Sequence, residues 1–242
     1  MMTIGIETSG QVGSVAVCED GKVLAEKYFE KGMRHGRELL PSLKTMFQEL
    51  GWSTEKVDLI AVSQGPGSYT GLRVGITCAK TLAYALKRPL VPVPTMDVLA
   101  ENVPPGDVAI CPILDARRNQ VYACIYKPGG RAPGYKVGAS SLALGLWHKV
   151  SDYLVITPKE LVGILPSPVL VFGDGAFLYR DIFLQEGIIF GSEEMGIPAA
   201  RVVARLGAEA FRRGTSCDPV QLQPLYLRKS EAEEKWKAPK RT

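Results

Sequence analysis

The chain has 242 residues, of which 46% are hydrophobic and 22% charged, with a formal net charge of +4. This composition is ordinary for a soluble globular protein with room for one large domain or two lobes, and the mild, dispersed charge permits nucleic-acid contact without arguing for it. No apolar run approaches the ~20 residues that span a bilayer, and no basic stretch with an apolar core opens the chain, so a cytoplasmic address without membrane contact is expected.

Residues 3–8 alternate as a strand. A turn follows at 9–13, a returning strand at 14–18, a second turn at Glu19-Asp20-Gly21, and a third strand over Lys22–Phe29. His35, Gly36 and Arg37 read as a polar loop that places His35 at the surface or against a partner. Glu38–Leu50 carries Leu39, Leu40, Leu43, Met46, Phe47 and Leu50 at helical spacing, with Pro41 expected in the first turn, where its missing amide costs least.

A strand over Val57–Val62 then feeds the turn Gly65-Pro66-Gly67 and a helix over Ser68–Leu86, capped by Ser68 or Thr70. Inside this helix Gly71, Gly75, Ala79 and Ala83 recur every four residues, which makes one face flat. Two glycines in a helix interior cost about 1 kcal/mol each relative to alanine. A closely packed neighbour is therefore expected, either within the chain or on another subunit.

Pro89–Val93 gives another strand, and Asn102 to Gly106 marks a lobe boundary. Residues 108–114 restart the pattern as a strand, followed by a polar turn over 115–120 and a returning strand over Val121–Tyr126. The layout repeats that of residues 4–17, an internal duplication of arrangement rather than of identity. Residues 127–150, rich in Gly, Pro and Ser, read as an irregular excursion. Pro158–Leu165 reads as a short helix, Val169–Gly175 as a buried strand ending in a tight turn, and Ala199–Arg213 as an amphipathic helix. The expected division is an N-terminal lobe over 1–103, joined by about 216–230, a C-terminal lobe over 104–215, and a charged, solvated tail over 231–242. Meandering strands followed by alternating helices and strands imply an α/β protein with mixed sheets flanked by helices.

The chemistry is narrower. A lysine-bearing phosphate loop fails, because Thr70 or Leu72 stands where its second glycine belongs. A dinucleotide fingerprint begins at Gly65 and Gly67, but its third glycine, Gly71, comes one residue late. No Gly-x-Ser-x-Gly elbow occurs, which leaves Ser68 a cap. Two histidines, His35 and His148, exclude a histidine-rich metal centre, and five cysteines without close pairing read as reduced thiols. Glu7, Asp115 and Asp174 stand at strand ends, where open sheets bind ligands and where carboxylates also serve simply as turn formers.

The run Gln64-Gly-Pro-Gly-Ser-Tyr-Thr-Gly-Leu-Arg-Val-Gly75 resembles the signature of the TsaB (YeaZ) family. His35 with Leu39-Leu40-Pro41, Leu114-Asp-Ala-Arg117 with Val121-Tyr122, and Gln223-Pro-Leu-Tyr-Leu-Arg228 resemble further motifs of that family, in its order, from residue 3 to 228. The resemblance implies the two-lobed actin, Hsp70 and sugar-kinase (ribonuclease H-like) fold. It also implies a part in forming N6-threonylcarbamoyladenosine at position 37 of tRNAs reading codons that begin with A. In that pathway the paralogue TsaD transfers the threonylcarbamoyl group, TsaB binds it as an accessory subunit, and the ATPase TsaE joins them in bacteria.

The paralogue follows a similar glycine turn and helix with a His-x-x-x-His pair that holds its metal, and those positions fall on Thr95 and Leu99 here. Neither side chain replaces an imidazole, so the resemblance implies no catalytic residue, metal or cofactor in this chain. The expected partner and homodimer face comprises Leu39, Leu43, Met46, Phe47, Tyr69, Leu72, Gly75, Ile76, Ala79 and Ala83, with a bulky residue at Gly75 expected to break docking. Gly65, Pro66, Gly67, Ser68, Thr70, Gly71 and Arg73 form the signature turn. Glu7, Thr8, Ser9 and Asp174 would be the remnant of a nucleotide site, with Glu7 standing where an aspartate is usual. The partners implied are a TsaD-like paralogue, a TsaE-like ATPase, a second copy in their absence, and tRNA through the complex. Two other readings are an independent peptidase of the glycoprotease type and a nucleotide-binding ATPase of the actin-like superfold.

Overall fold

A computed structural model of the chain describes residues 1–30, 32, 35–129 and 147–228. Strands β1 (Met2–Glu7), β2 (Ser14–Glu19) and β3 (Lys22–Tyr28) form an antiparallel meander. Asp20 and Gly21, both at positive φ, close its second hairpin, the backbone that a two-residue turn needs to follow the strand twist. Helix α1 (His35–Glu49), strand β4 (Leu59–Gly65), helix α2 (Tyr69–Leu86), strand β5 (Leu90–Pro94) and short helix α3 (Thr95–Ala100) follow. The first sheet has the order β3-β2-β1-β4-β5, with β1, β4 and β5 parallel.

The second half contains β6 (Ala109–Arg117), β7 (Gln120–Ala123), β8 (Tyr126–Pro128), β9 (Trp147–Lys149), β10 (Leu154–Ile156) and α4 (Pro158–Val162). It continues through β11 (Val169–Phe172), α5 (Asp174–Leu178), α6 (Arg180–Phe183), β12 (Ile188–Phe190) and α7 (Ala200–Arg212). Its sheet runs β10-β7-β6-β11-β12, with β8 and β9 paired off that path. β6 and β7 are antiparallel, as are β7 and β10, while β6, β11 and β12 are parallel. Strand for strand this is the order and direction of the first sheet. The duplication legible in the sequence as layout is therefore a duplication of topology.

Burial follows from the topology. β1 and β4 lie in the middle of their sheet, with α1 and α2 over one face and α7 over the other, and all six residues of β1 are buried. Strands covered on both faces read as continuous apolar runs. Gly5 on β1 admits the backbone of α7, since a Cβ there would lie 2.1 Å from the Ala200 carbonyl oxygen.

Several expectations are corrected. Helix α7, placed by sequence with the C-terminal lobe, packs on β1, β2, β4 and β5 of the first sheet, because its Val202, Val203 and Leu206 stripe matches the open face there. The segment after it pairs with the edge of the first sheet, with Cys217 bridged to Leu90. Helix α1 begins at His35, so Pro41 lies inside it rather than in the first turn. The start moves because the His35 ring is buried against Phe29 instead of standing in solvent. Residues 127–128 and 147–149 are paired strands, while 130–146 and the tail over 231–242 lie outside the described residues. Among the described residues no helix is long and apolar enough to cross a membrane.

Candidate functional site

The glycine turn sets the start of α2. Gly65 sits at φ +108, a left-handed conformation that favours glycine. The Ser68 amide donates to the Ser9 carbonyl at 2.7 Å, and the Ser68 hydroxyl accepts from the Gly71 amide at 3.2 Å as N-cap. Thr70, the other candidate cap, is exposed in the first turn.

The face of Gly71, Gly75, Ala79 and Ala83 points into the chain, and this corrects its assignment to a partner. A Cβ at Gly71 would lie 2.1 Å from the Thr8 carbonyl oxygen, and one at Gly75 would lie 2.1 Å from the Thr8 hydroxyl. The small residues exist so that α2 can sit on the end of β1. Leu39, Leu43, Met46, Phe47, Leu72 and Ile76 are likewise buried, because α1 and α2 must cover the apolar face of β1, β2 and β4. Of the expected interface only Tyr69 is exposed, at 45%.

The outer sides of the two helices form a different surface. Leu40, which is 56% exposed, lines with Val74, Thr77, Cys78, Thr81 and Leu82 a predominantly apolar groove of about 660 Å³. Arg73 stands at its wall with its guanidinium over the Tyr69 ring at 5.3 Å, and its Nη1 donates to the Tyr69 hydroxyl at 3.0 Å. Burial pushes the Cys78 thiol up to about 11, which makes it a packing group rather than a nucleophile at neutral pH. Helical spacing alone selected the inward residues of α1 and α2. The outward Leu40 and Val74 carried the missed signal, as apolar residues lying beyond the stripe needed for the core.

A second site is the cleft of about 570 Å³ where the ends of the two sheets meet. Ser9, Gly67 and Tyr69 line it from the first sheet, and Asp115, Arg117 and Asp174 from the second. The Asp115 amide donates to Asp174 Oδ1 at 3.0 Å. Asp115 Oδ1 accepts from the Arg117 amide at 2.8 Å, and its Oδ2 meets Arg117 Nη1 at 3.1 Å. Ser9 and Asp174 thus come together.

Glu7 does not join them in the cleft. Its side chain is fully buried, and its Oε1 accepts from the Ser9 amide and the Ser9 hydroxyl, both at 2.5 Å. The longer side chain folds back onto its own loop, while Thr8 is buried beneath α2. Glu7 and Thr8 therefore support the cleft from below instead of lining it. His35, expected at the surface or against a partner, has its Nε2 3.1 Å from the Gly10 carbonyl oxygen beside the same loop, and burial holds its ring below the usual histidine range.

Burial raises the Glu7 carboxyl from 4.5 to about 7, against the opposing pull of its Ser9 hydrogen bonds. A carboxyl raised in the folded state binds more protons there than in the unfolded chain between those two values, so stability falls as pH rises through that window. Glu7→Gln, which keeps an acceptor for Ser9, is expected to remove the slope and to stabilise the protein above pH 7 by up to about 3 kcal/mol. Urea unfolding at pH 5 and pH 8 checks this, and equal effects at the two values would contradict it.

Thr95 and Leu99 lie one turn apart on α3, both fully buried. Among the described residues no cluster of three or more His, Cys, Asp and Glu side chains has the proximity to hold a metal ion.

The chain is similar over most of its length to known proteins. The family described as TsaD, tRNA N6-adenosine threonylcarbamoyltransferase, matches residues 28–236. The tRNA threonylcarbamoyladenosine biosynthesis protein TsaB of Bacillus subtilis is 32% identical over 98% of this chain and 98% of its own length. The protein of the same name from Escherichia coli is 27% identical over 98% and 97%. The solved structure of YeaZ from Pseudomonas aeruginosa superposes with a TM-score of 0.77 at 26% identity, covering 93% of this chain and 99% of that one.

Proposed function

Because this chain belongs to the TsaB (YeaZ) family, we propose that it is the accessory subunit of a complex that makes threonylcarbamoyladenosine in tRNA, binding and activating a TsaD-like transferase. The observation that carries this reading is the apolar groove between α1 and α2, an exposed surface built beside a helix face already consumed by the core. An apolar surface of this kind rimmed by polar residues marks a protein contact. The occupant is the TsaD-like paralogue, and a second copy of this chain takes its place when the paralogue is absent, because a self-complementary groove pairs about a two-fold axis. Thr95 and Leu99 supply no imidazole where the transferase paralogue carries its pair, so the transfer step is assigned to the paralogue. A TsaE-like ATPase and the tRNA engage the assembly.

Reconstitution tests the proposal. This chain, a TsaD-like transferase, a TsaE-like ATPase, threonylcarbamoyl-adenylate and an unmodified tRNA are mixed with each protein omitted in turn. Transfer is expected only when this chain and the transferase are both present. Undiminished transfer without this chain, or transfer by this chain alone, would overturn the assignment.

A further inference from the structure

The closing segment of the described chain, residues 217–228, joins the two sheets through a series of specific contacts. It leaves the edge of the first sheet at Cys217, whose amide donates to the Leu90 carbonyl at 3.0 Å. Lys80 on α2 donates to the Val220 and Leu222 carbonyls, each at 3.1 Å. Gln64, just ahead of the glycine turn, accepts from the Leu225 amide at 2.8 Å and donates through Nε2 to the Gln223 carbonyl at 3.0 Å. The Tyr226 ring stacks on Tyr69 with centroids 5.1 Å apart. Two residues later, Arg228 Nη1 donates to the Ala116 carbonyl at 3.0 Å, at the end of β6.

Both ends of this last stretch are sensitive points. Tyr69 lines the α1–α2 groove and the cleft at once, so a body seated in the groove meets the ring on which Tyr226 is stacked. At the other end, the turn after Ala116 holds Arg117, Arg118 and Asn119 at φ +63, +55 and +56. Three successive left-handed residues that carry a Cβ are unfavourable by themselves and persist only where the surroundings hold them. The Asp115 carboxylate holds the turn through the Arg117 amide and guanidinium, and Arg228 holds it through the Ala116 carbonyl and Gln120 Oε1.

We infer that residues 223–228 are a coupling strap, which makes the conformation of the Arg117–Asn119 turn at the cleft mouth depend on how Tyr69 sits in the groove. Tyr226 and Arg228 are its positioning residues. The inference rests on the reading of the groove as a docking face and adds a direction to it: a partner on the first sheet's helices alters a turn on the second sheet. Two sites are coupled when a shared element has two arrangements that both sites bias, and a strained turn held from outside is such an element.

Hydrogen exchange read by mass spectrometry on the full chain alone tests it. Arg228→Ala is expected to raise exchange of amides 117–121 about tenfold, the loss of one charge-assisted hydrogen bond to the turn. Tyr226→Ala and Tyr69→Ala are expected to raise it at the same amides, and Tyr226→Phe, which keeps the stacked ring, to leave it unchanged. The double variant Tyr69→Ala with Arg228→Ala should add little to Arg228→Ala alone, because both break one linkage. Unchanged exchange at 117–121 in Tyr226→Ala overturns the inference. So does a rise spread evenly over both sheets, which would make the strap a stabiliser only. This readout needs no partner, so its failure is distinct from a failure of the docking assignment, which appears instead as unaltered assembly when the groove is mutated.

Discussion

Gly71→Ala is expected to destabilise the protein by about 3 kcal/mol or more, read as a shift of the urea midpoint. The added methyl would lie 2.1 Å from the Thr8 carbonyl oxygen, a backbone atom of a fully buried residue just past the end of β1, which has nowhere to retreat. Helix propensity alone favours the alanine by about 1 kcal/mol, so the sign of the result decides between propensity and packing. Gly36 is the internal comparison. It is an exposed residue of α1 whose added methyl would touch only Val74 Cγ1 at 4.0 Å, and Gly36→Ala is expected to be neutral or to stabilise by up to about 1 kcal/mol.

Gly75 gives the sharper form of the same prediction. The atom opposing it is the Thr8 hydroxyl, a side chain that can be removed, so Gly75→Ala should be relieved in part by Thr8→Ala, with a coupling above about 0.5 kcal/mol. If Gly71→Ala proves as mild as Gly36→Ala, the inward placement of this face is wrong. Loss of a partner in Gly75→Leu would report a damaged fold rather than a damaged interface.

The second large effect lies on the opposite side of the same helices. Leu40→Glu places a carboxylate in the apolar groove on a side chain that is already exposed in the isolated chain. The fold should therefore keep its melting temperature within a few degrees, since surface substitutions stay within about 0.5 kcal/mol. Docking of a partner would desolvate that charge within a predominantly apolar contact. The affinity for the TsaD-like subunit, measured by calorimetry, is expected to fall about a hundredfold, the scale of a central interface residue. Self-association measured by sedimentation should weaken in parallel. Leu178→Glu, equally exposed on α5 but away from the groove, should leave both unchanged. Undiminished affinity in Leu40→Glu removes the groove from the interface.

The two predictions divide where sequence and tertiary structure divide. Periodicity identified α1 and α2 and their apolar stripes from residues such as Leu39, Leu43 and Met46, because a 3.6-residue repeat is a local property. It could not say whether a flat Gly/Ala face meets another chain or its own sheet, since both demand the same close approach. The strand β12, three residues long, and the brief β10 were not legible either. Their pairing depends on β11 and β7, which are distant in sequence. Helix α7 was recognised as a helix and assigned to the wrong half of the molecule, because an apolar stripe does not specify which sheet it covers.

By itself, then, the sequence determined the meander, the glycine turn with its Ser68 cap, the repeat of layout between the two halves, and the four motifs that mark the family. All of these are set by short-range backbone preferences and side-chain spacing. Only the tertiary structure decided that Gly71 and Gly75 face Thr8, that Glu7 folds under the cleft, and that Leu40 and Val74 line the open groove. Those placements follow from which faces the two sheets leave uncovered. That is a property of long-range pairing, and no window along the chain contains it.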